Sequence, residues 1–315
     1  MSTSILRTAD AWYVATTGGA VKIATAATTT GELLADRQAI AAAAGGAGAS
    51  TDRVEDLALL SPVTAPCRVV AQMTNFASHV TDSGMDPKTV PLTFFRKASG
   101  SISGPVDDVV KPAHVKLLDY EVEIGLVIGR AMPVGTELTA GSLHEYVAGL
   151  VVANDVSARD IQLPKTQFYE AKSYPSFTPV GPALVLLDAD ELERFSDLRL
   201  TLSVNGASRQ NAVVGRDMIY RPLEALRALT RFQRLDPGDL VLTGTPAGTA
   251  LSAPPKVLEK IAGLLPAAVK WELFFKRQAK NPKYLADGDV VKARVATDDG
   301  AIDLGTQRTT VRYAR

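Results

Sequence analysis

Two glutamates separated by one residue, Glu121 and Glu123, have a type and spacing that could do chemistry. On a β-strand, residues two apart project from the same face, so the two carboxylates would lie close together and repel. Exposed strand faces often carry such pairs. Here Leu117, Leu118 and the run IGLVI at 124–128 flank them, which indicates a core strand whose acids need a counter-charge. Carboxylate oxygens without nitrogen or sulfur donors favour Mg²⁺, Mn²⁺ or Ca²⁺ over Zn²⁺.

A third carboxylate follows a second apolar run. In VVANDVSARD at 151–160, Asp155 comes directly after the strand-like residues, and Arg159 and Asp160 follow in a turn. Asp155 could join the two glutamates at a metal, or its side chain could cap the following turn. Asp160 could be only the ion-pair partner of Arg159. The residues alone leave these alternatives open.

The elements that must position these groups are mostly short strands. After Pro66, apolar β-branched runs alternate with Gly and Pro, which is typical of strands. The predicted strands lie at 67–73, 121–129, 150–155, 183–187, 198–204, 240–244 and 290–295, and VNG at 204–206 predicts a hairpin turn. Helical spacing is confined to about 140–147, 221–230 and 257–265. Neither a dinucleotide fingerprint, a P-loop nor a serine-hydrolase motif occurs.

Residues 1–60 have a different character. Alternation at 12–23 and a short helical pattern from Glu32 precede the tract AAAAGGAGAS at 41–50, which buries little and is interpreted as a flexible connection. The sequence therefore predicts a small N-terminal domain over 1–60 and a catalytic domain over 61–315.

Composition narrows the partners. The 315 residues carry 34 basic and 34 acidic side chains and no net charge, so neither nucleic acid nor an anionic membrane is an expected partner. Cys67 is the single cysteine, which excludes an intramolecular disulfide and a cysteine-built zinc site and suits a reducing, cytoplasmic location. No apolar stretch is long enough to span a bilayer, and the N-terminus lacks the pattern of an export signal.

Several segments together resemble the fumarylacetoacetate hydrolase superfamily. In chain order they are NFASH at 75–79, LDYEVEIGLVIG at 118–129, ANDVSARDIQ at 153–162, AKSYPSFTPVGP at 171–182, VNGASRQ at 204–210 and LTGTPAG at 242–248. The resemblance implies an α+β, mostly β fold, with a mixed sheet rolled on itself and helices outside, and a homodimer. It also implies that Glu121, Glu123 and Asp155 hold a divalent metal, Mg²⁺ or Mn²⁺ with Ca²⁺ as an alternative.

The same resemblance assigns catalytic candidates. His79 stands at the family's histidine position, while His114 and His144 do not. Asp82, three residues on, could orient His79, although similar hydrolases carry glutamate at that spacing. Lys172 matches a lysine that points toward the bound substrate, where its ammonium could stabilise an enolate or oxyanion. A surface lysine is the alternative interpretation.

Substrate contacts are expected from three further positions that the resemblance indicates. Arg159 and Gln162 match residues that contact substrate oxygens in some members, and Thr245 lies in a loop similar to the family's substrate loop. Two departures bear on specificity. Residues 72–74 are Gln, Met and Thr where many relatives have glycine, and Phe76 replaces a usual tyrosine.

Residues 252–289 form an insertion after that loop, with Trp271 and two phenylalanines at 274 and 275. The segment could cover the pocket, pad a dimer interface or pack on the core.

The function favoured on this basis is metal-dependent hydrolysis of a carbon–carbon bond in an acylpyruvate-like or other 1,3-dicarbonyl acid, with His79 activating water. One alternative is a decarboxylase or tautomerase of oxaloacetate-like 2-oxo acids, or a hydratase of unsaturated 2-oxo acids. A non-catalytic metal-binding member is the other.

Overall fold

The computed structural model describes residues 2–46, 52–165, 167–251 and 266–314. Its strands are β1 (Thr3–Arg7), β2 (Trp12–Thr16), β3 (Gly19–Lys22), β4 (Val69–Met73), β5 (Thr93–Lys97), β6 (Ile102–Ser103), β7 (Val109–Lys111), β8 (Leu118–Asp119), β9 (Val122–Ile128), β10 (Val147–Asn154), β11 (Ser157–Ala158), β12 (Thr178–Pro179), β13 (Leu184–Leu186), β14 (Leu198–Val204), β15 (Ala207–Val213), β16 (Leu240–Leu242), β17 (Val290–Thr297) and β18 (Asp303–Tyr313).

The helices are shorter and lie at the periphery. They are α1 (Thr30–Ala35), α2 (Arg37–Ala44), α3 (Ala77–Asp82), α4 (Leu143–Tyr146), α5 (Arg159–Gln162), α6 (Ala189–Glu193), α7 (Val214–Asp217), α8 (Pro222–Leu229) and α9 (Ala267–Gln278). Local chemistry sets several boundaries. Thr29 and Glu32 form a capping box at the start of α1, and proline occupies the first turn of α8, where its missing N–H costs nothing.

Two mixed sheets form the body of the protein. The larger has nine strands in the order β3-β2-β1-β13-β10-β9-β16-β4-β5, and the smaller has five in the order β15-β14-β17-β18-β7. Most neighbours are antiparallel, but β16 pairs with β4, and β18 with β7, in parallel. The α+β, mostly β fold class with a mixed sheet and peripheral helices is confirmed.

The main core lies between the two sheets. Side chains of β9 alternate, so that Val122, Ile124 and Leu126 pack against Leu200 of β14 and Val295 of β17 in one buried cluster. Because β9 is buried along its whole length, it reads as a nearly continuous apolar run. The expected hairpin at 204–206 is also present, since Asn205 and Gly206 both have positive φ, as a type I′ turn requires.

The N-terminal segment joins the large sheet. β1 pairs with β13, so within the described ranges β1–β3 extend the sheet that carries the site and do not form a sheet of their own. Their other face packs with α1 and α2 over the outer side of the sheet, where Trp12 and Leu33 meet Val151 and Leu242 in a second core. The division at residue 60 remains a prediction, since the two segments share a sheet and a core.

Other local expectations have mixed outcomes. Residues 41–44 of the Ala/Gly tract continue α2, so the interpretation of this part as a flexible connection was wrong; residues 47–50 lie outside the described ranges. The helix expected at 221–230 is present as α8. Only residues 143–146 of the predicted helix at 140–147 are helical. The helix expected at 257–265 lies outside the described residues.

A membrane-crossing helix is absent from the part of the chain that the structure describes, where every helix is too short or too polar to pass through a bilayer.

Candidate metal centre and active site

Strand register brings the three acids together. β9 and β10 are antiparallel with Asn154 opposite Val122, so Glu121, just before β9, lies beside Asp155, just after β10. The backbone N–H of Asp155 donates to the carbonyl of Glu121 at 2.8 Å. The side chain of Asn154 accepts from the backbone N–H of Glu121 at 2.9 Å and so also holds the two strand ends together.

The carboxylates of Glu121, Glu123 and Asp155 form one buried cluster. One ligand atom from each lies within 4.8 Å of the others. All three line a pocket of about 910 Å³. Three carboxylates at this distance inside a protein repel strongly unless positive charge stands between them. The predicted metal residues are therefore brought together as the sequence indicated.

Three buried cations compensate two of these acids. The Lys172 ammonium donates to Glu121 at 2.5 Å and to Asp155 at 2.6 Å, and the Arg159 guanidinium donates to Glu121 at 2.5 Å. Lys97, at the end of β5, forms an ion pair with Asp155 and donates to the Phe177 carbonyl at 2.8 Å. Burial alone would raise the pKa of Glu121, but Arg159 and Lys172 outweigh it and hold the pKa well below its usual range.

Glu123 is less compensated than Glu121 and Asp155. Within the described residues its only hydrogen bond is accepted from the backbone N–H of Gly244, at 2.7 Å, and it has no cationic partner. Gly244 has φ of 85°, and a Cβ there would lie 2.9 Å from Cβ of Asn75, so a larger residue would disturb this loop. Burial, followed by the charges of Asp155 and Glu121, raises the pKa of Glu123 well above its usual range.

The donor set fits a divalent cation. The site holds four buried carboxylates, since Asp119 binds Arg159 at 2.8 Å, against the three cations. With all seven groups ionised one negative charge is left over, and the least compensated carboxylate is Glu123, whose second oxygen has no donor among the described residues. An oxygen already bound to one cation still has a second lone pair for a metal. A divalent ion would leave one net positive charge, which an anionic substrate can neutralise.

The histidine and its expected partner are not joined. His79 lies on α3 and lines the pocket, yet its buried Nδ1 has no hydrogen-bond partner among the described residues. Asp82 is at the exposed end of the same helix and makes no hydrogen bond to it. Burial lowers the pKa of His79, so its imidazole is neutral near pH 7. The predicted dyad of His79 and Asp82 is thus not formed in this structure. His114 and His144 are exposed and do not line the pocket.

Lys172 is in the pocket wall as predicted and is buried, so the surface-lysine alternative was wrong. The ammonium faces the carboxylate cluster from the short turn after Tyr169. Burial alone would lower its pKa, but Asp155 and Glu121 raise it, so the group is fully charged.

The three expected substrate contacts line the pocket, but their polar groups are largely engaged. Arg159 donates to Asp119, Glu121 and Gln162, and does not pair with Asp160. The hydroxyl of Thr245 donates to the Val122 carbonyl at 2.9 Å and accepts from Gln210 at 2.8 Å. These residues shape the site. All three guanidinium nitrogens of Arg159 already have a carboxylate or amide partner.

Two site residues, Asp119 and Lys97, were missed. Asp119 continues the period of two that joins Glu121 and Glu123, and its carboxylate accepts from Arg159 and from the backbone N–H groups of Ala250 and Leu251. That spacing could have identified it. Lys97 has no comparable pattern, because its partner Asp155 is 58 residues away in the chain.

The wall near β4 differs from expectation. Gln72, Met73 and Thr74 line the pocket, but Phe76 is fully buried in the main core and does not. The expectation that Phe76 would reshape the pocket wall was therefore wrong. Both polar atoms of the Gln72 amide are buried without a partner in the described structure.

Part of the insertion lines the pocket. Described residues of α9, among them Trp271, Phe274 and Arg277, stand in the pocket wall. Trp271 and Phe274 meet edge to face with ring centroids 5.8 Å apart, which gives this wall an aromatic surface. Of the three alternatives for residues 252–289, the described part supports two, because α9 lines the pocket and Leu285 is buried in the main core. Residues 252–265 lie outside the described ranges.

Three buried carboxylates converge at strand ends of this mostly β chain. Such a ligand set is typical of one class of proteins, those that bind a divalent metal through oxygen atoms. The particular family follows from comparison. A sequence model of the family described as fumarylacetoacetate (FAA) hydrolase, C-terminal, matches residues 68–312. The chain therefore belongs to the fumarylacetoacetate hydrolase family, whose members are enzymes that bind divalent metals.

Several relatives have names of their own. The mitochondrial oxaloacetate tautomerase Fahd2a of Rattus norvegicus is 36% identical over 202 residues, which are 64% of this chain and 62% of that protein. The mitochondrial oxaloacetate tautomerase FAHD2A of Homo sapiens is 34% identical over 207 residues, which are 65% of this chain and 64% of that protein. The match thus spans less than two thirds of each relative.

Solved structures match over the whole chain. A probable 2-hydroxyhepta-2,4-diene-1,7-dioate isomerase from Mycobacterium abscessus is 28% identical with a TM-score of 0.74, and each chain is covered completely. A fumarylacetoacetate hydrolase from Exiguobacterium antarcticum is 25% identical with a TM-score of 0.71, again with complete coverage of both chains.

Proposed function

We propose that this chain is a divalent-metal-dependent isomerase that moves a proton between carbon and oxygen of an enolisable 2-oxo diacid, as in the keto–enol tautomerisation of oxaloacetate. The named relatives at 34–36% identity are oxaloacetate tautomerases, and the solved relative at 28% is named as a probable isomerase of a hydroxydiene dioate. Both names describe a proton transfer next to an enolised carbonyl, which favours this reaction type over cleavage.

The observation that carries the proposal is the state of His79. Its imidazole is in the pocket, neutral, and unpaired at Nδ1, while Asp82 is exposed and away from it. Activation of water for attack on a carbonyl needs a base whose developing charge a neighbouring acid stabilises. Transfer of one proton within a bound substrate needs a single neutral base close to the substrate. The arrangement suits the second task.

The chain's own residues then divide the work. His79 takes the proton from the carbon next to the 2-oxo group, and the C–H electron pair moves into the new carbon–carbon double bond. The carbonyl π pair moves to oxygen, where the Lys172 ammonium stabilises the enolate charge. His79 then gives the proton to that oxygen, which completes the enol. Arg159 holds Glu121 in place through its hydrogen bond, as a positioning residue.

Glu121, Glu123 and Asp155 would hold the divalent ion, which we propose to be Mg²⁺ or Mn²⁺, with Ca²⁺ as the alternative. When bound, the ion supplies Lewis-acid polarisation of the 2-oxo group.

Hydrolysis of an acylpyruvate-like acid is the second candidate. The pocket of about 910 Å³ is larger than a four-carbon diacid requires, and its α9 wall is aromatic, which suits an acyl tail. Catalytic hydrogen bonds can also tighten only when substrate binds, and α3 carries Asp82 only three residues from His79.

One assay separates the candidates. We would follow the enol absorbance of oxaloacetate and of a panel of acylpyruvates with Mg²⁺, with Mn²⁺ and after chelation, and identify the products by NMR. Metal-dependent interconversion of keto and enol oxaloacetate with no loss of carbon supports the proposal. Release of pyruvate and a carboxylic acid from an acylpyruvate, at a rate above tautomerisation, would replace it with the hydrolase. A homodimer and a cytoplasmic location stay proposals, based on the family resemblance and the single cysteine.

A further inference from the structure

The amide of Gln72 is a buried polar group without a partner. Gln72 is on β4, is 2% exposed, and lines the pocket together with His79 and Glu123. Neither its Nε2 nor its Oε1 has a hydrogen-bond partner in the described structure. Buried side-chain amides are nearly always paired, because an unpaired one loses its hydration and receives nothing in return.

The stability of the fold does not explain why residue 72 is a glutamine. The residues before it on β4, Val69, Val70 and Ala71, are apolar and buried, so a leucine or methionine would continue the strand at lower cost. Gln72 is therefore the polar exception in a core strand, and the exception is in the pocket wall. An orphaned amide at such a place indicates a ligand that supplies its partner.

The backbone of Gln72 lies next to the loop that holds the least compensated acid, Glu123. β4 runs parallel to β16 with Ala71 beside Leu242, so the loop after β16 passes close to Gln72. A Cβ at Gly244 would lie 3.4 Å from the carbonyl oxygen of Gln72, and Gly244 donates to Glu123. A substrate bound at the carboxylates therefore lies in the pocket that Gln72 lines.

We infer that Gln72 is a specificity residue, whose amide N–H groups donate to the second oxygen-bearing group of the substrate. The inference rests on the proposed function for the substrate class, a 2-oxo diacid. An amide can donate to a carboxylate oxygen and offers nothing to a methyl group, and a pocket that hydrogen-bonds a substrate group rejects the analogue that lacks it. Gln72 thus makes the chain select a 2-oxo diacid over the 2-oxo monoacid of equal length.

Oxaloacetate and 2-oxobutanoate test this selection, because they differ only by a carboxylate in place of a methyl group. With Mg²⁺ in D₂O, NMR measures hydrogen exchange at carbon 3 of both compounds, after subtraction of the rate without protein. We expect Gln72→Leu to lower the preference for oxaloacetate, as the ratio of kcat/KM values, by about 10 to 100-fold, since hydrogen bonds to charged groups are the strong class. Removal of the unpaired amide should also raise Tm by about 2 °C or more.

Gln233→Leu is the matched control. Nε2 of Gln233 is likewise buried without a partner, but Gln233 does not line the pocket. This variant should raise Tm and keep the preference. If Gln72→Leu keeps the preference as well, the inference is overturned. It is also overturned if Gln72→Leu weakens Mg²⁺ binding in calorimetry without substrate, because the amide oxygen would then be a metal ligand.

Calorimetric affinities separate a failure of the inference from a failure of the proposed function. If neither compound exchanges hydrogen with the wild-type protein, the isomerase proposal fails. The Kd values for oxaloacetate and 2-oxobutanoate then decide on Gln72 alone. Tighter binding of oxaloacetate that is lost in Gln72→Leu supports the contact, and equal discrimination in the two proteins overturns it.

Discussion

Two groups of polar residues at and beneath the pocket wall differ in how fully their polar atoms are paired, and they are called here the paired half and the open half of the site. The paired half consists of Asp119, Glu121, Asp155, Lys97, Arg159 and Lys172, and the open half of Gln72, His79 and Glu123. In the paired half every carboxylate meets a cation within 2.8 Å. In the open half Glu123 has one backbone donor, and His79 and Gln72 have buried atoms with no partner in the described structure.

The difference separates charges that the protein already compensates from groups whose polar atoms have no partner. The compensated ion network holds the strand ends in place, while Glu121 and Asp155 keep free lone pairs for a metal. Groups left unpaired at a cost in stability are available to a metal, a proton or a substrate oxygen. Glu121 and Glu123, two residues apart on one strand, fall on opposite sides of this division, and they allow the sharpest tests of it.

The largest effect is expected from Glu121→Gln. Each carboxylate oxygen of Glu121 faces a cation, so the amide NH₂ of the variant must point at Arg159 or Lys172. Breaking a buried pair in this way typically costs about 3–5 kcal/mol. Urea unfolding in the presence of a chelator should show that loss. Glu145→Gln, whose partner Arg130 is exposed, should cost less than about 1 kcal/mol. Equal losses would mean that the paired half is not a structural unit.

Glu123→Gln should behave in the opposite way. The new amide oxygen can keep the bond from Gly244, and its NH₂ can occupy the side where no donor now exists. The repulsion from Asp155 and Glu121 is removed as well. The free energy of unfolding without metal should stay within about 1 kcal/mol or rise, since no buried charge loses a partner. Metal affinity in calorimetry should fall by about 100-fold or more, beyond the range of an outer-shell change. Undiminished affinity would rule out Glu123 as a ligand.

The sequence predicted the acids of this site better than their partners. The spacing of Glu121 and Glu123 follows from strand periodicity, which is a local feature, whereas Asp155 is assigned to the metal by the family resemblance, because the residues alone leave a turn cap as an alternative. Their cations are joined to them across the fold: Lys97 to Asp155 over 58 residues and Arg159 to Asp119 over 40. Which lysine or arginine reaches a buried strand end depends on how the sheet is assembled, and no local pattern encodes it.

The same argument explains why the His79–Asp82 pair on α3 is not formed, and it bears on the predicted domain division at residue 60. A spacing of three residues places His79 and Asp82 on one side of a helix. The helix ends at Asp82, however, and its last turn is at the surface while His79 faces the pocket. The N-terminal segment was separated from the rest by composition, yet its strands complete the large sheet through β13. In both cases tertiary packing decided what sequence spacing left open.

His79→Ala tests the open half directly. Loss of a general base should lower kcat for the proton transfer by about 100-fold, the lower end of the usual range, because Lys172 and the metal residues remain. Stability should change little, since Nδ1 of His79 has no partner to lose in the described structure. The exposed His144→Ala is the control and should leave both kcat and Tm unchanged. Turnover equal to that of the wild type in His79→Ala would assign the proton transfer to another group.

Asp82→Asn should have the smallest effect, and it discriminates best between the two candidate reactions. Asp82 is exposed and makes no hydrogen bond to His79 in the structure. A proton transfer that uses His79 alone should therefore keep kcat within about twofold, a change smaller than the loss of one weak hydrogen bond would cause. A hydrolase that depends on a His79–Asp82 pair would lose the orienting acid and should slow by about 100-fold or more. Parallel assays of oxaloacetate tautomerisation and acylpyruvate cleavage in this variant measure both rates. A large loss confined to cleavage would place Asp82 in a dyad that forms only with substrate, and His79 would then belong to the paired groups of the working enzyme.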